Sequence, residues 1–220
     1  MLVVEKRRIH PNIKTILRSM VCILREPGKL EHIYDLEDSL RHTKASVLAV
    51  DWLKTQPEVA QLIQERYLAP PPNIEALLQY PQDSLGYAYA VYIKKSGFDP
   101  SFYRTIEVED DISYVLLRVR QTHDIWHVVT GFNTDINGEI ELKAFELAQT
   151  RRNLAVFLVG ATILATLAMS PQALPDLLNQ IVLGYQMGGK AKPLFAQKWE
   201  ENWEKPLFEW RSELGIDVSH

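Results

Sequence analysis

The sequence predicts an all-α protein in which residues 1–220 form a single domain, a multi-helix bundle with one long central helix. Apolar residues recur at helical spacing in almost every segment, and the alternation that marks a half-buried strand is nearly absent. The composition, 46% hydrophobic and 24% charged, is that of an ordinary globular protein. A length of 220 residues suffices for one substantial core, and the sequence contains no internal repeat.

The first third of the chain is predicted to form short helices separated by proline and glycine. Residues 12–28 place six apolar side chains on one face and stop at a Pro-Gly pair, and residues 29–40 continue with the same period. The next predicted helices are ASVLAVDWLKTQ and PEVAQLIQERYL, of which the second begins at Pro57. The three prolines of APPPN predict the clearest loop of the chain.

The remainder contains the longer helical patterns. A helix is predicted over residues 84–97, and DDISYVLLRVRQTHDIWHVVTG predicts another, whose acidic start suits the positive end of the helix dipole. The turn-rich FNTDING follows. Residues 139–169 are then continuously helical, with a kink expected near residues 151–153, and they form the predicted long central helix. Two further helices are predicted over residues 172–188 and 193–215.

Two conspicuous apolar features are interpreted as parts of the core. The uncharged run NLAVFLVGATILATLAMSPQALP approaches the roughly 20 residues that cross a bilayer, but its polar residues leave an apolar core of about 16. We therefore interpret it as a buried core helix and not as a membrane span. Trp199, Trp203 and Trp210 are spaced four and seven apart, which favours one packed helix face over a ligand cage.

Charge, cysteine content and the start of the chain exclude several classes of protein. The formal net charge of −4 gives no general attraction to nucleic acid, so we expect no nucleic-acid partner. The single cysteine, Cys22, cannot form an internal disulfide and is expected to be a buried structural thiol in a reducing compartment. The first twelve residues lack the apolar region of a secretory signal, so we expect a cytoplasmic protein.

The motif that carries chemistry is HDIWHVVTGFNTDINGE, residues 123–139. On a helix, His123 and His127 lie about 40° apart around the axis, and Asp124 flanks His127 at about 60°, so three metal-ligating side chains share one arc. The FNTDING break reverses the chain and places Glu139 in the first turn of the next helix, from which its carboxylate can return toward the histidines. The four residues form a candidate metal site suited to zinc, iron or manganese.

The same residues have simpler explanations, which stay open on periodicity alone. Two histidines four apart occur on helices by chance, and Glu139 is an ordinary first-turn acid that suits the helix dipole. Arg120, one turn before His123, is either a guanidinium that pairs with a substrate carboxylate or a surface arginine. Because Asp124 replaces the glutamate base of the HExxH motif, peptidase chemistry is not expected.

The motif and its surroundings resemble the coenzyme Q biosynthesis protein 4 family. His123-Asp124-x-x-His127 followed by Glu139 is similar to the HDxxH-x(11)-E signature of that family. SLGYAYAVYIKKSGFDP is similar to its Leu-Gly-x-x-Tyr region, and KWEENWEKPLFEWRSELGI to its C-terminal segment. The resemblance spans roughly residues 80–216, and no element of the metal motif departs from the family pattern.

The resemblance implies an all-helical protein that holds a divalent metal, with zinc as the first choice and iron, manganese or magnesium as alternatives. It implies a role in ubiquinone-type quinone biosynthesis at a membrane surface, which is the matrix side of the mitochondrial inner membrane in a eukaryote. The implied partners are a prenylated quinone precursor or isoprenoid lipid and other quinone-biosynthesis proteins, with a homodimer as a further option. An apolar channel for the prenyl tail is expected, because each buried methylene contributes about 0.8 kcal/mol.

Three functions of different class follow from the motif and the resemblance. The favoured one is a metal-dependent lyase, an oxidative decarboxylase that removes the C1 carboxylate of a prenylated hydroxybenzoate. Its metal ligands are His123, Asp124, His127 and Glu139. Asp124 and Glu139 also act in catalysis, and Arg120 binds the substrate carboxylate.

The second function is a non-catalytic lipid-binding scaffold that organises quinone-biosynthesis enzymes, and the third is a metal-dependent prenyl-phosphate hydrolase. An open coordination position favours an enzyme, whereas a closed site favours the scaffold. Peripheral membrane contact is expected through the first helix, which carries Lys14, Arg18 and Arg25.

Overall fold

A computed structural model describes residues 30–97, 99 and 103–218. Within these ranges the protein consists of α-helices and three short 3-10 turns without a β-strand, so the predicted all-α class is confirmed. The helices are α1 (Leu30–Leu40), α2 (Lys44–Leu53), α3 (Pro57–Glu65), α4 (Ile74–Leu77), α5 (Leu85–Ser96), α6 (Asp111–Thr130), α7 (Ile136–Thr150), α8 (Asn153–Met169), α9 (Leu174–Lys190) and α10 (Leu207–Leu214). The predicted helix over residues 12–28, with Cys22 and the cations expected to contact a membrane, lies outside the described residues.

Several helix ends lie where local sequence signals place them. The Ser84 hydroxyl caps the start of α5, and Gly97 ends that helix with a positive φ of 69°. α6 begins with a capping box between Asp110 and Ser113 and ends at Gly131, where φ is 78°. The APPPN segment is a loop, as predicted.

The predicted continuous helix over residues 139–169 is divided into α7 and α8 at the position where the sequence places a kink. Arg151 ends α7 in the left-handed conformation with φ 54°, and α8 starts again at Asn153. The break lets the next residue, Arg152, turn its side chain into the protein interior. The long helix that crosses the main core is α6, with 20 residues.

The predicted C-terminal helix over residues 193–215 is wrong for its first half. That part consists of two 3-10 turns, Leu194–Ala196 and Trp199–Glu201, and a regular helix begins only after Pro206. Proline cannot donate a helical hydrogen bond, and the preceding backbone is used elsewhere. Gly86 N donates to Trp203 O at 2.8 Å, so this segment satisfies free N–H groups at the start of α5.

The three C-terminal tryptophans are packed, but they do not share one helix face. Trp199 and Trp210 are buried with their ring centroids 4.8 Å apart, and Trp203 stacks on Tyr89 at 5.3 Å. Only Trp210 lies in a regular α-helix. The interpretation as core packing is thus right, while the predicted common helix is wrong.

The C-terminal segment also holds α6 at two places. Arg118 is fully buried, and its guanidinium donates to Glu200 Oε1 at 2.6 Å and to Gln197 O at 2.8 Å. Arg211 of α10 donates to Val128 O at 3.0 Å and to Val129 O at 2.9 Å, which satisfies carbonyls in the last turn of α6. The middle and the C-terminal end of the helix that carries the histidines therefore depend on residues 197–211.

α7 and α9 pack more closely than any other pair of helices in the described ranges. A Cβ at Gly184 would lie 2.0 Å from Glu141 O, and one at Gly188 would lie 2.6 Å from Phe145 O. Because neither position has room for a side chain, the two helices are in contact through their backbones. The contact fixes α7 along its length.

The prediction that α8 is a buried core helix is wrong for its second half. Leu154 and Leu158 are buried against α1, but Leu164, Leu167 and Met169 are exposed, Met169 by 77%. α8 is thus an outer helix with one buried face, and it carries no charge. No helix in the described residues combines the length and the apolar character needed to cross a membrane.

A chain of five charged side chains, three of them cationic, joins α1, α6, α7 and the break before α8 in the interior. We call it the interior ion chain. Lys143 Nζ lies 2.9 Å from Glu146 Oε2, and Arg152 NH1 lies 2.8 Å from Glu146 Oε1. Glu37 of α1 accepts hydrogen bonds from both Arg152 and Arg120, the latter through Nε at 2.7 Å. Burial raises the pKa of the Glu146 carboxyl, but Lys143 and Arg152 outweigh burial and lower it to about 2.

We expect Gly184→Ala to destabilise the protein by about 2 kcal/mol or more, because the new methyl group collides with backbone that cannot move away. Gly189→Ala is the matched control in the same helix, since a Cβ there has nothing within 4 Å. The control should be neutral or stabilising by up to about 1 kcal/mol, from helix propensity. Urea unfolding measures both, and equal effects would contradict the close contact.

We expect Glu146→Gln to destabilise the protein by about 3 kcal/mol at pH 7. A carboxyl whose pKa is lowered on folding stabilises the protein above its ordinary value of 4.5, and this stabilisation is lost as the pH falls toward 2. The difference between wild type and variant should therefore shrink between about pH 5 and pH 2. Glu75→Gln, at an exposed ion pair, is the control and should have little effect at any pH. A pH-independent difference for Glu146→Gln would contradict this linkage.

Candidate metal centre

Two helices bring three of the predicted ligands together. His123 and His127 lie one turn apart near the end of α6, and Glu139 lies in the first turn of α7. His127 Nε2 is 3.2 Å from Glu139 Oε1, and His123 Nε2 is 3.6 Å from Glu139 Oε2. One potential ligand atom from each of the three residues lies within 4.8 Å of the others.

The loop between the helices is set by backbone contacts. Gly131 turns the chain in the left-handed conformation, and Asp135 caps α7 by accepting a hydrogen bond from Gly138 N at 2.9 Å. A Cβ at Gly138 would lie 2.0 Å from Asn133 O, so the loop folds directly onto the first turn of α7. This close approach holds Glu139 beside the histidines.

The distances from Glu139 to the two histidines are close to the ligand spacing around a zinc-like ion. Zinc bonds to histidine nitrogen and carboxylate oxygen are about 2.0–2.1 Å long, so two ligands of a tetrahedral site lie about 3.3 Å apart. The two distances from Glu139 to the histidines, 3.2 and 3.6 Å, are close to that value. The donor set of two imidazoles and one carboxylate suits zinc, iron or manganese better than calcium.

The hydrogen bonds of His127 are a second feature that suits a cation at this site. Its Nδ1 lies 3.0 Å from Phe132 O, and because a carbonyl only accepts, Nδ1 must carry the proton. In the neutral ring, Nε2 then directs a lone pair at Glu139 Oε1, so two acceptors face each other. A metal ion or an added proton resolves this conflict. A ring nitrogen fixed by a backbone carbonyl is also typical of metal-bound histidine.

Glu139 is ionised and accessible. Burial raises the pKa of its carboxyl, but the hydrogen bonds of His123 and His127 outweigh burial and hold the pKa well below its ordinary range. The side chain is 42% exposed, whereas His127 is buried. Tyr92 stacks on the His127 ring at 5.9 Å and covers its other side. The arrangement can therefore hold a cation that remains open to solvent or substrate on one side.

Asp124 lies outside this three-residue cluster. It is half-buried on α6, and its charge contributes to the raised pKa values of Tyr92 and Tyr89, after burial itself. Its predicted role as a fourth ligand or as a base stays a prediction.

The sequence leaves two roles open for Arg120, which are binding a substrate carboxylate and lying on the surface. In the structure its guanidinium is bonded to other residues of the protein. Its side chain is only 5% exposed, with Nε and NH2 bonded to Glu37 Oε2 and NH1 donating to Arg104 O at 2.7 Å. The guanidinium also lies over the Tyr34 ring at 4.5 Å. Arg120 thus joins α1 to α6, and its predicted role in substrate binding stays untested.

Sequence reasoning missed two residues beside the cluster, Lys143 and Glu146. They lie four and seven positions after Glu139, so helical spacing places all three on one side of α7. The charge of Glu139 helps to raise the pKa of Lys143 against the effect of burial, and His123 helps to lower that of Glu146. The sequence shows the helical spacing of Lys143 and Glu146 relative to Glu139, but it does not show that the two side chains are buried.

Comparison with known proteins gives a family for this chain. The family model described as coenzyme Q (ubiquinone) biosynthesis protein Coq4 matches residues 13–220. The match confirms the resemblance and extends it to the first 80 residues, where the motifs are less distinctive. A crystal structure of a protein from Nostoc punctiforme PCC 73102, named for ubiquinone biosynthesis, has a TM-score of 0.84 and 36% sequence identity. The similarity covers 94% of this chain and all of that one.

Curated relatives agree with the family model. The ubiquinone biosynthesis protein COQ4 homologue of Homo sapiens is 30% identical over 203 residues, which cover 90% of this chain and 75% of that protein. The Bos taurus homologue is 30% identical over 197 residues, 82% of this chain and 73% of that protein. The Aedes aegypti homologue is 30% identical over 149 residues, 66% of this chain and 53% of that protein.

All three relatives are named mitochondrial, and the matched regions span from about half to three quarters of their length. The extent of the family match, together with the HDxxH-x(11)-E motif whose two histidines and glutamate meet in one cluster, shows that this chain belongs to the coenzyme Q (ubiquinone) biosynthesis protein Coq4 family.

Proposed function

We propose that this chain acts in quinone biosynthesis as a metal-dependent enzyme that replaces the C1 carboxylate of a prenylated hydroxybenzoate with a hydroxyl group. The carboxylate leaves as CO2, water supplies the hydroxyl oxygen, and molecular oxygen accepts the two electrons and becomes hydrogen peroxide. The observation that carries the proposal is the open cluster of His123, His127 and Glu139. Catalytic zinc sites keep three protein ligands and an open position, whereas structural sites are closed by four. Membership of the family supplies the pathway.

The residues of the candidate centre have different proposed roles. A bound divalent metal would supply Lewis acidity at a carboxylate or phenolate oxygen of the ligand. His127, fixed by its Nδ1–H bond to Phe132 O, and His123 orient the site, while Glu139 provides the negative charge that holds the cation. Asp124, the nearby carboxylate outside the cluster, is the proposed base that accepts the phenolic proton on its carboxylate oxygen.

The outer surface of α8 and α9 is the proposed contact for the prenyl tail and for a membrane. Next to Glu139 in sequence, Ile140 packs against Val159 and Leu177, so this surface adjoins the start of α7. Its exposed large apolar side chains are Val156, Leu164, Leu167, Met169, Leu178, Val182 and Tyr185. Two pockets formed by the described residues, one beside Trp203 and one of about 300 Å³ beside Asp111, are not lined by the cluster. We place the prenyl tail along the outer surface because its apolar side chains adjoin the start of α7.

The same surface favours a second candidate function, a non-catalytic scaffold that binds lipid, a second copy of the chain or other quinone-biosynthesis proteins. Exposed apolar patches on soluble proteins commonly mark such contacts. The enzyme remains the better-supported candidate. Paired imidazoles and carboxylates are costly to desolvate, and apolar packing would hold two helices equally well.

We expect His123→Ala and His127→Ala each to lower the affinity for zinc at least about tenfold, because each removes a nitrogen that faces Glu139. Metal analysis after dialysis measures the loss, and circular dichroism should show little loss of helix. His42→Ala, at an exposed histidine, is the control and should keep its metal. Stoichiometric metal in a His123→Ala, His127→Ala double variant would exclude the proposed centre.

We expect Glu139→Gln to keep the fold, because the amide has nearly the same shape, but to abolish conversion of a prenylated hydroxybenzoate and to weaken metal binding. Loss of the carboxylate is followed by mass spectrometry with metal and oxygen supplied. Glu58→Gln, at an exposed first-turn glutamate of α3, is the matched control and should remain active. Metal-loaded wild type that binds the acid and leaves its carboxylate intact would favour the scaffold.

We expect the double variant Leu167→Glu, Met169→Glu to sediment less with phospholipid vesicles than wild type, because two charges then replace exposed apolar contacts. Phe208→Glu is the control, since Phe208 is equally apolar and exposed but lies on α10. Release of wild type from vesicles by high salt or mild alkali is also expected. Equal vesicle binding by both variants would rule out this contact surface.

A further inference from the structure

Arg120, which the sequence suggests as the residue that binds a substrate anion, already forms hydrogen bonds within the protein. All three nitrogens of Arg120 have protein partners, two on Glu37 and one on Arg104 O. Releasing Arg120 would leave Glu37 with a single cationic partner in the interior, which is unfavourable for a buried carboxylate. A ligand anion at the cluster therefore needs a different cation.

Lys143 is a cation with unused donors. Its Nζ donates one hydrogen bond, to Glu146 Oε2 at 2.9 Å, and makes no other with the described residues. An ammonium group carries three N–H donors, so two remain available. The side chain is only 17% exposed, and unused donors are unfavourable where water has limited access.

Helical spacing and electrostatic coupling place Lys143 next to Glu139. Lys143 lies one helical turn after Glu139 on α7, a spacing that brings the two side chains together on the helix surface. Glu139 and Glu146 both help to raise the pKa of Lys143, which overcomes the lowering effect of burial and keeps the amine protonated. Lys143 is therefore the member of the interior ion chain that lies one turn from the proposed ligand Glu139.

Lys143 has no carboxylate of its own in the interior ion chain. It shares Glu146 with Arg152, since Glu146 Oε2 lies 2.9 Å from Lys143 Nζ and Glu146 Oε1 lies 2.8 Å from Arg152 NH1. The negative charge of Glu139 also acts on Lys143. Once Glu139 is committed to a divalent cation, Lys143 keeps only the shared carboxylate, and an anionic group of the ligand can supply a second one.

We propose that Lys143 is the anion-binding residue of this site, and that its ammonium donates hydrogen bonds to the carboxylate of a ligand held at His123, His127 and Glu139. The inference rests on the proposed function for where the ligand lies. It adds a basis for selectivity, because a carboxylate accepts from the ammonium as an ion pair, whereas a neutral carboxamide of the same shape does not.

The test compares a short-chain prenylated 4-hydroxybenzoate with its carboxamide on the metal-loaded full chain, by isothermal titration calorimetry. Wild type is expected to bind the acid at least about tenfold more tightly than the amide. In Lys143→Met the affinity for the acid should fall to that of the amide, while the affinity for the amide and the metal content stay within about twofold. Lys94→Met, at an exposed surface pair, is the control and should keep the preference.

A second measurement needs no variant and so does not depend on whether Lys143→Met folds. The acid, and not the amide, should protect Lys143 of the wild type from acetylation by acetic anhydride, as read by mass spectrometry of the digested protein. Equal protection by both ligands, equal affinity of wild type for both, or failure of both to bind overturns the proposal. So does an acid preference that persists in a folded Lys143→Met.

The outcomes also separate this inference from the proposed function. A Lys143-dependent preference for the acid without loss of its carboxylate supports the anion site and contradicts the decarboxylase. Turnover of the acid without any such preference supports the decarboxylase and overturns the anion site.

Discussion

The interior ion chain from Lys143 to Arg120 is the constraint on which the arrangement around the candidate centre depends. It joins three helices and the break before α8 through side chains that are nearly all withdrawn from water. Apolar residues would hold these helices as firmly, because desolvation offsets much of the attraction between buried ions. Apolar contacts, however, tolerate sliding, whereas paired charges fix one register of α1 and α8 relative to α6 and α7.

Backbone contacts also fix the position of α7, which carries Glu139. α7 touches the preceding loop at Gly138 and α9 at Gly184, with no side chain between the backbones. Glu139 lies between these two contacts. Its position is therefore fixed by the backbone on both sides and depends little on the packing of flexible side chains. On the opposite helix, the ring of His127 is set by the Phe132 carbonyl. The ligand cluster is thus preorganised from both sides, as a site for a small cation requires.

Local signals were sufficient for most of the fold and for the cluster. Gly97 and Gly131 end helices because their backbone conformations favour glycine, and the spacing of His123 and His127 follows from the helical period alone. Contacts between distant parts of the chain were not accessible in the same way. Arg120 is bound by Glu37, 83 positions earlier, and residues 203–207 pair with the start of α5 and so do not continue a helix. Met169 is likewise exposed because no other helix in the described part of the chain covers the end of α8, and the helical period of the sequence does not show which helices pack together.

The dependence of α6 on the C-terminal segment has a consequence for synthesis. A nascent chain that has emerged only as far as α9 already contains every residue of the cluster, but Arg118 then lacks Glu200 and the last carbonyls of α6 lack Arg211. Burying Arg118 in that state would be strongly unfavourable, so α6 cannot settle in the core. We therefore expect the candidate centre to reach its final geometry only after residues up to 211 have left the ribosome.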